Sequence, residues 1–280
     1  QKLILLKGSA LGTQIYPNLA LRPMVDLDLL VDRSKTTPAI SILQQQGFQI
    51  ARVEEQPGFT INYENEIVLR KFRAIEIVVE VHWSLFNSPY YQYKLSQEWL
   101  WESAQTIEVN GVPALMLKPE IQVLHLCGHL SYHHAGEGWL WRHDLAEMIM
   151  HYREALDWDQ IIEYANQFDL LITLQTNLAS LQVVYGAIVP DKVMMKLAAY
   201  DPTKAEKRLF SQLNIVKKKS GKTFLEDFSS LPDWKSKLDF ALHNLFPSPN
   251  YMKVRYQFNA SLLLPYFYAY RWYLGIKSLF

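Results

Sequence analysis

Apolar and polar positions change rhythm once along the chain, at Lys118-Pro119-Glu120. Before that point, short apolar runs alternate with segments of helical character. Leu3-Ile4-Leu5-Leu6 reads as a short buried strand, and residues 25–31 read as another. Thr37-Pro38 opens a helix, with Thr as cap and Pro at the first helical position, and Gly47 closes it. Strands are expected over 49–53, 60–63, 66–72 and 74–82. Asn110-Gly111, between Ile107-Glu108-Val109 and residues 112–117, is the strongest hairpin signal, because both residues tolerate the positive φ of a two-residue turn. Past residue 120 the spacing is helical over 121–133, 139–152, 158–168 and 170–185, and helices continue to the end, punctuated by Pro190, Pro202, Pro232, Pro247, Pro249 and Pro265. The expected fold class is α+β: a mixed β-sheet with helices over 1–118, followed by an all-helical domain over 119–280.

Composition narrows this picture. Of 280 residues, 49 % are apolar and 20 % charged, which excludes a disordered chain. Lys plus Arg (28) cancels Asp plus Glu (28), so there is no strong nucleic-acid signal in the overall charge. A single cysteine, Cys127, excludes an intramolecular disulfide and a multi-cysteine zinc site, and a reducing, cytoplasmic compartment is expected. The chain starts at Gln1 directly before an apolar stretch, so the native N-terminus is expected upstream. Residues 262–280 are the most membrane-like, but Pro265, Arg271 and Lys277 interrupt them well short of the ~20 residues of a membrane span. An aromatic helix that is buried or docked is expected there instead.

The candidate chemistry concentrates in the first segment. On a strand Asp26 and Asp28 point to one face, where their mutual repulsion and burial call for a cation. A hard divalent ion with oxygen ligands, Mg²⁺ first, answers that need and brings a nucleoside triphosphate with it. Gly8-Ser9 lies between a strand and a helix expected to start near Ala10, which offers backbone N–H groups to phosphate. Lys7 and Arg22 add positive charge. A third acid is available from the strand over 75–82, where Glu76, Glu80 and His82 share a face. Glu80, near the strand's end, is the expected one, able to bind metal or to take a proton from an attacking hydroxyl. Glu76 lies about 13 Å away at ~3.3 Å per residue, too far to share the metal.

These stretches (Leu6 to Gly8, Tyr16, Arg22 to Val31, and Val79 to Trp83) resemble the uncharacterised nucleotidyltransferase family of the DNA polymerase β-like superfamily, which also holds the aminoglycoside and lincosamide nucleotidyltransferases. The helical run from Leu124 to Met148, with His129, His133, Trp141, Arg142 and Asp144, is similar to the family's second half. The resemblance implies a palm-like mixed sheet over 1–118 as catalytic domain and an acceptor-side domain over 119–280. It implies a metal and catalytic triad of Asp26, Asp28 and Glu80 binding one or two Mg²⁺ ions, and a triphosphate held by Lys7, Gly8, Ser9 and Arg22. His82, His129, His133 and Asp144 are candidates for the acceptor side. Sixteen residues separate Ser9 from Asp26, which implies an inserted turn over 17–23.

The implied reaction is in-line attack of an acceptor hydroxyl on the α-phosphate of a nucleoside triphosphate, ATP first, releasing pyrophosphate. The acceptor and the choice of nucleotide stay open. Two rivals keep the fold: a silent nucleotide-binding or regulatory protein, and a toxin-like nucleotidyltransferase acting on tRNA. His125, His129 and His133 line one helical face at intervals of four, but no HExxH pattern accompanies them. A polar seam between helices is expected there rather than zinc, with Arg142 and Asp144 either part of it or paired with each other. Gly221-Lys222-Thr223 is not a phosphate-binding loop, because Val216 stands where its first glycine belongs, and Lys217-Lys218-Lys219 is expected in a solvated loop. Gly8-Ser9 lacks the spacing of a hydrolase elbow.

Overall fold

Seven strands form one mixed sheet in the computed structural model, which describes residues 2–215 and 220–279. They are β1 (Ile4–Leu5), β2 (Asp26–Leu30), β3 (Gln49–Ile50), β4 (Glu66–Phe72), β5 (Glu76–His82), β6 (Ala104–Val109) and β7 (Val112–Leu117), in the spatial order β3-β4-β5-β2-β1-β7-β6. β2 runs parallel to β5 and antiparallel to β1, while β1 runs parallel to β7. The helices of this half are α1 (Lys7–Gln14), α2 (Thr36–Gln45), α3 (Phe59–Tyr63), α4 (Pro89–Lys94) and α5 (Gln97–Glu102). The hairpin β6–β7 turns at Asn110 and Gly111, both with positive φ, as its dipeptide demands.

Alternation along the strands gives the sheet two different faces. Ile67, Leu69, Val79 and Val81 project to one side and pack with Val31, Trp83 and Ile40 of α2. The opposite side carries Asp26, Asp28, Glu80 and His82 near its centre. Beyond these acids the same side becomes apolar, and Ile4, Leu30 and Leu117 enter the main core. That core is completed by α6 (Pro119–Tyr132), α7 (Trp139–Tyr152), α8 (Trp158–Gln167), α9 (Leu171–Tyr185), α10 (Asp191–Ala198) and α11 (Lys204–Leu213). Secondary structure thus changes character at residue 118, but one hydrophobic core runs across the boundary. α6 lies at its centre, buried almost throughout between Ile121 and Ser131.

A buried polar clamp ties the halves together. Arg22, from the turn that precedes β2, donates from Nε and Nη2 to both oxygens of Asp144 on α7 at 2.8–3.1 Å, and the Tyr16 hydroxyl donates to Asp144 Oδ1 at 2.9 Å. Asp144 has no solvent exposure and Arg22 has 5 %. The Arg142–Asp144 pairing open from the sequence does not form. Positions two apart on a helix diverge by about 200°, so Arg142 and Asp144 leave opposite sides of α7, and Arg142 turns instead to the Gly136 carbonyl and the Trp139 ring.

Residues 60–63 form helix rather than the expected strand. Gly58, at φ +82°, breaks the chain direction, and the Glu54 carboxylate accepts from the N–H groups of Gly58 and Thr60. The single turn of α3 then stacks Phe59 and Tyr63, four apart, against Phe240. Phe240 belongs to a C-terminal group made of α12 (Ser220–Ser230), α13 (Trp234–Leu245), α14 (Pro249–Tyr256) and α15 (Leu264–Lys277). Gly221 sits inside α12, where a Cβ would meet the Gly275 carbonyl at 2.7 Å, so this glycine serves close helix packing. Val216 and Lys217-Lys218-Lys219 lie outside the described residues. The aromatic helix α15 docks through Phe267 on Tyr256 and Phe258, yet buries no residue fully. No helix among the described residues is long and apolar enough to cross a membrane.

Truncating one member of a buried ion pair strands the other, at a cost of about 3–5 kcal/mol. Asp144→Ala is therefore expected to lower unfolding stability by that order, and Tyr16→Phe by about 1 kcal/mol. Replacing Arg22 and Asp144 together by Met and Leu should cost less than the sum of the single changes. Urea unfolding of Asp144→Ala, Tyr16→Phe, Arg22→Met, Asp144→Leu and the double variant checks this.

Candidate active site

The register of two parallel strands brings the site together. Asp28 of β2 stands directly opposite Glu80 of β5, and Leu30 opposite His82, so the acids of both strands share a face. On the other side of β5, Glu66 of β4 stands opposite His82. The His82 ring fits between these carboxylates: Nε2 lies 2.9 Å from Asp28 Oδ1 and 3.5 Å from Glu80 Oε2, and Nδ1 lies 3.1 Å from Glu66 Oε2. Lys7 closes the group from the first position of α1. Its backbone is held at φ +46°, a strained value for a lysine, and its Nζ reaches Asp28 Oδ1 at 2.7 Å and Glu80 Oε2 at 3.8 Å. Ser9 Oγ accepts the Asp28 N–H at 3.0 Å, which fixes α1 to β2.

Charge is unevenly balanced here. Among the described residues, Asp26, Asp28, Glu66 and Glu80 face two cationic groups, Lys7 and His82. Burial alone would raise the Asp28 carboxyl, but hydrogen bonds and charge from His82 and Lys7 outweigh it and hold Asp28 well below the usual carboxylate range. Burial likewise opposes charge on Lys7 and on His82, and Lys7 opposes it further on His82. The surrounding carboxylates prevail, and both groups hold their protons more tightly than usual. Asp26 is half-buried and without a hydrogen bond or ion pair among the described residues. Burial, then the negative charge of Asp28 and Glu80, raises its carboxyl.

One oxygen each from Asp28 and Glu80 and one nitrogen from His82 lie within 4.8 Å of one another, the one such metal-spaced group among the described residues. An ion about 2.1 Å from each ligand sets neighbouring ligands about 3.0 Å apart and opposite ones about 4.2 Å apart, so these residues fit a divalent cation. The Lys7 ammonium stands in as the cation beside Asp28. Asp26 shares the face but falls outside this group, and His82, assigned to the acceptor side from the sequence, falls inside it. Glu76 pairs with Arg70 at the exposed end of the strand, away from Glu80.

The other sequence candidates divide in two. Gly8 and Ser9 lie in the first turn of α1, which begins at Lys7 rather than near Ala10. A Cβ on Gly8 would come within 3.0–3.1 Å of Met24 and the Arg22 guanidinium, so Gly8 leaves room for that cover. Arg22 and Asp144 are engaged with each other in the clamp, so neither side chain is free for a triphosphate or an acceptor. His129 and His133, by contrast, reach the site. With Tyr132, Lys7, Glu66 and His82 they border a cavity of about 30 Å³ between α6 and the sheet. Glu66 was missed in the sequence. Its alternation with Ile67 and Leu69 puts it on the acid face, but only the antiparallel pairing of β4 with β5 reveals its contact with His82.

His125, the first of the three histidines on α6, is fully buried beside Phe86, and neither ring nitrogen has a hydrogen-bond partner among the described residues. Burial first, then the charge of Lys7, depresses it to about 3. Because its folded value lies below the unfolded one, stability is lost as pH falls below about 6.5, when only the unfolded chain takes the proton. This histidine alone should cost about 2 kcal/mol between pH 7 and pH 5. Urea unfolding at both pH values is expected to show a drop that His125→Leu reduces by that amount. An unchanged drop would contradict this environment.

None of the curated proteins matches this chain. A protein family described as uncharacterised nucleotidyltransferase matches residues 2–186, from just before β1 to the end of α9, a span that holds the acid face, the clamp and the histidines of α6. With two thirds of its length matched, including every element that builds the site, the chain belongs to the uncharacterised nucleotidyltransferase family.

Proposed function

We propose that the protein transfers a nucleoside monophosphate from a nucleoside triphosphate, ATP first, to a hydroxyl acceptor and releases pyrophosphate. The observation that carries this reading is the in-register pair of Asp28 and Glu80, held with His82 and a strained Lys7 beside the N-terminus of α1. Asp28, Glu80 and His82 would hold a divalent ion, Mg²⁺ being the default for phosphate chemistry, with Asp26 beside them. When bound, such an ion neutralises charge on the attacking and leaving oxygens.

The chain's own groups supply the rest. Lys7, released from Asp28 when another cation takes its place, would pair with phosphate oxygens. The N–H groups of Gly8 and Ser9 are at the positive end of α1. Asp26, the carboxylate left unpaired and raised, would take the proton of the attacking hydroxyl. A cavity of about 30 Å³ holds an ion or a water but no triphosphate, so α6 or Lys7 must shift on nucleotide entry. His129 and His133, on the opposite wall, would then border the acceptor.

Incubation with each α-labelled nucleoside triphosphate, Mg²⁺ and cell extract should label a product. Asp28→Asn, folded by circular dichroism, should reduce labelling about 10³-fold or more. His129→Ala should cost about 10- to 100-fold, by misplacing the acceptor. Labelling that persists in Asp28→Asn would remove the proposed site.

A further inference from the structure

A nitrogen stands among the oxygens of this metal-spaced group, and its surroundings give it a definite orientation. His82 is 1 % exposed, and its two ring nitrogens face opposite partners. Nδ1 is held by Glu66 at 3.1 Å, while Nε2 points between Asp28 and Glu80. A carboxylate on one ring nitrogen that leaves the other facing the ligand group is the arrangement by which proteins orient a metal-binding histidine and raise its basicity. Glu66 is in turn fixed by the Asn65 side-chain amide, which donates to its Oε2 at 2.9 Å, and by the strand pairing that sets it opposite His82. The ring therefore has little freedom to swing away from the two acids.

Resting on the nucleotidyl-transfer reading of the same site, we propose that His82 gives up its Nε2 proton to solvent and binds the divalent ion through that nitrogen, the ion replacing the charge lost, with Glu66 on Nδ1–H as its positioning partner, so that the site prefers Mn²⁺ to Mg²⁺. Mg²⁺ favours an all-oxygen, largely hydrated octahedron, whereas first-row transition ions accept imidazole readily. Two carboxylates and one imidazole leave octahedral Mn²⁺ open positions for phosphate oxygens. A site made only of carboxylates would not distinguish the two ions on this ground.

Manganese binding with inorganic pyrophosphate, which supplies phosphate oxygens but no nitrogen, tests this without turnover. Loss of the free Mn²⁺ resonance gives the affinity, and pulsed electron paramagnetic resonance detects a directly bound ¹⁴N. The wild-type protein should show one strongly coupled ¹⁴N and bind Mn²⁺ at least ~10-fold more tightly than Mg²⁺ in competition. His82→Gln should lose the coupling and most of that preference, while Mg²⁺ affinity changes far less. Glu66→Gln should keep the coupling and weaken Mn²⁺ by about 10-fold. Bound Mn²⁺ without ¹⁴N coupling in the wild type would overturn the role of His82 and leave the transferase reading standing. Failure to bind either ion, together with absence of nucleotide labelling, would instead remove both.

Discussion

Two carboxylates that face each other on adjacent parallel strands, beneath a covering helix, create an electrostatic demand that the rest of the site answers. Asp28 and Glu80 are brought together by the register of β2 with β5, which fixes their backbone positions side by side. In water their repulsion would be small, but at this depth it requires positive charge close by. Lys7 supplies part of it at the expense of a strained backbone, and His82 supplies the rest from within the same strand as Glu80. With Asp26 and Glu66 included, the site still carries more acid than base. A pocket organised in this way is suited to exchange its resident ammonium for a metal ion, and the exchange frees a lysine where phosphates would arrive.

The clamp of Tyr16, Arg22 and Asp144 serves that geometry from a distance. It joins the turn before β2 to α7, and so fixes the entry of the strand that carries Asp26 and Asp28. The continuous core does the same for α6, whose His129 and His133 form the wall opposite the acids. Gly128 permits this approach, since a Cβ there would overlap the Phe86 ring at 2.2 Å. The sheet-bearing and helical halves therefore share one core around the cleft, although their secondary structures differ.

Much of this was legible in the sequence, for identifiable reasons. The hairpin at Asn110-Gly111 and the helices from α6 to α9 follow from local rules of turn chemistry and periodicity, and they appear where those rules put them. Glu80 is preferred to Glu76 in the sequence for its position near the strand's end and its motif match, and the register sets Glu80 opposite Asp28. What could not be read depends on pairing between distant segments. Glu66 gains its contact only from an antiparallel neighbour, and the partners of Arg22 and Asp144 are 122 residues apart. Residues 60–63 have the composition of a strand, but packing against Phe240, far along the chain, makes them helical. His82 looked like an acceptor-side group because nothing local says that its ring turns back toward Asp28.

The central claim is that the place now held by the Lys7 ammonium, between Asp28 and Glu80, is a metal site that fills when nucleotide binds. A crystal structure with Mn²⁺ and a non-hydrolysable nucleoside triphosphate tests it directly through the anomalous signal of the metal. The account predicts a peak bonded to Asp28, Glu80 and His82, with Lys7 Nζ withdrawn from Asp28 and placed on a phosphate oxygen. A nucleotide bound elsewhere, with Lys7 still paired to Asp28 and no metal between the strands, would contradict it.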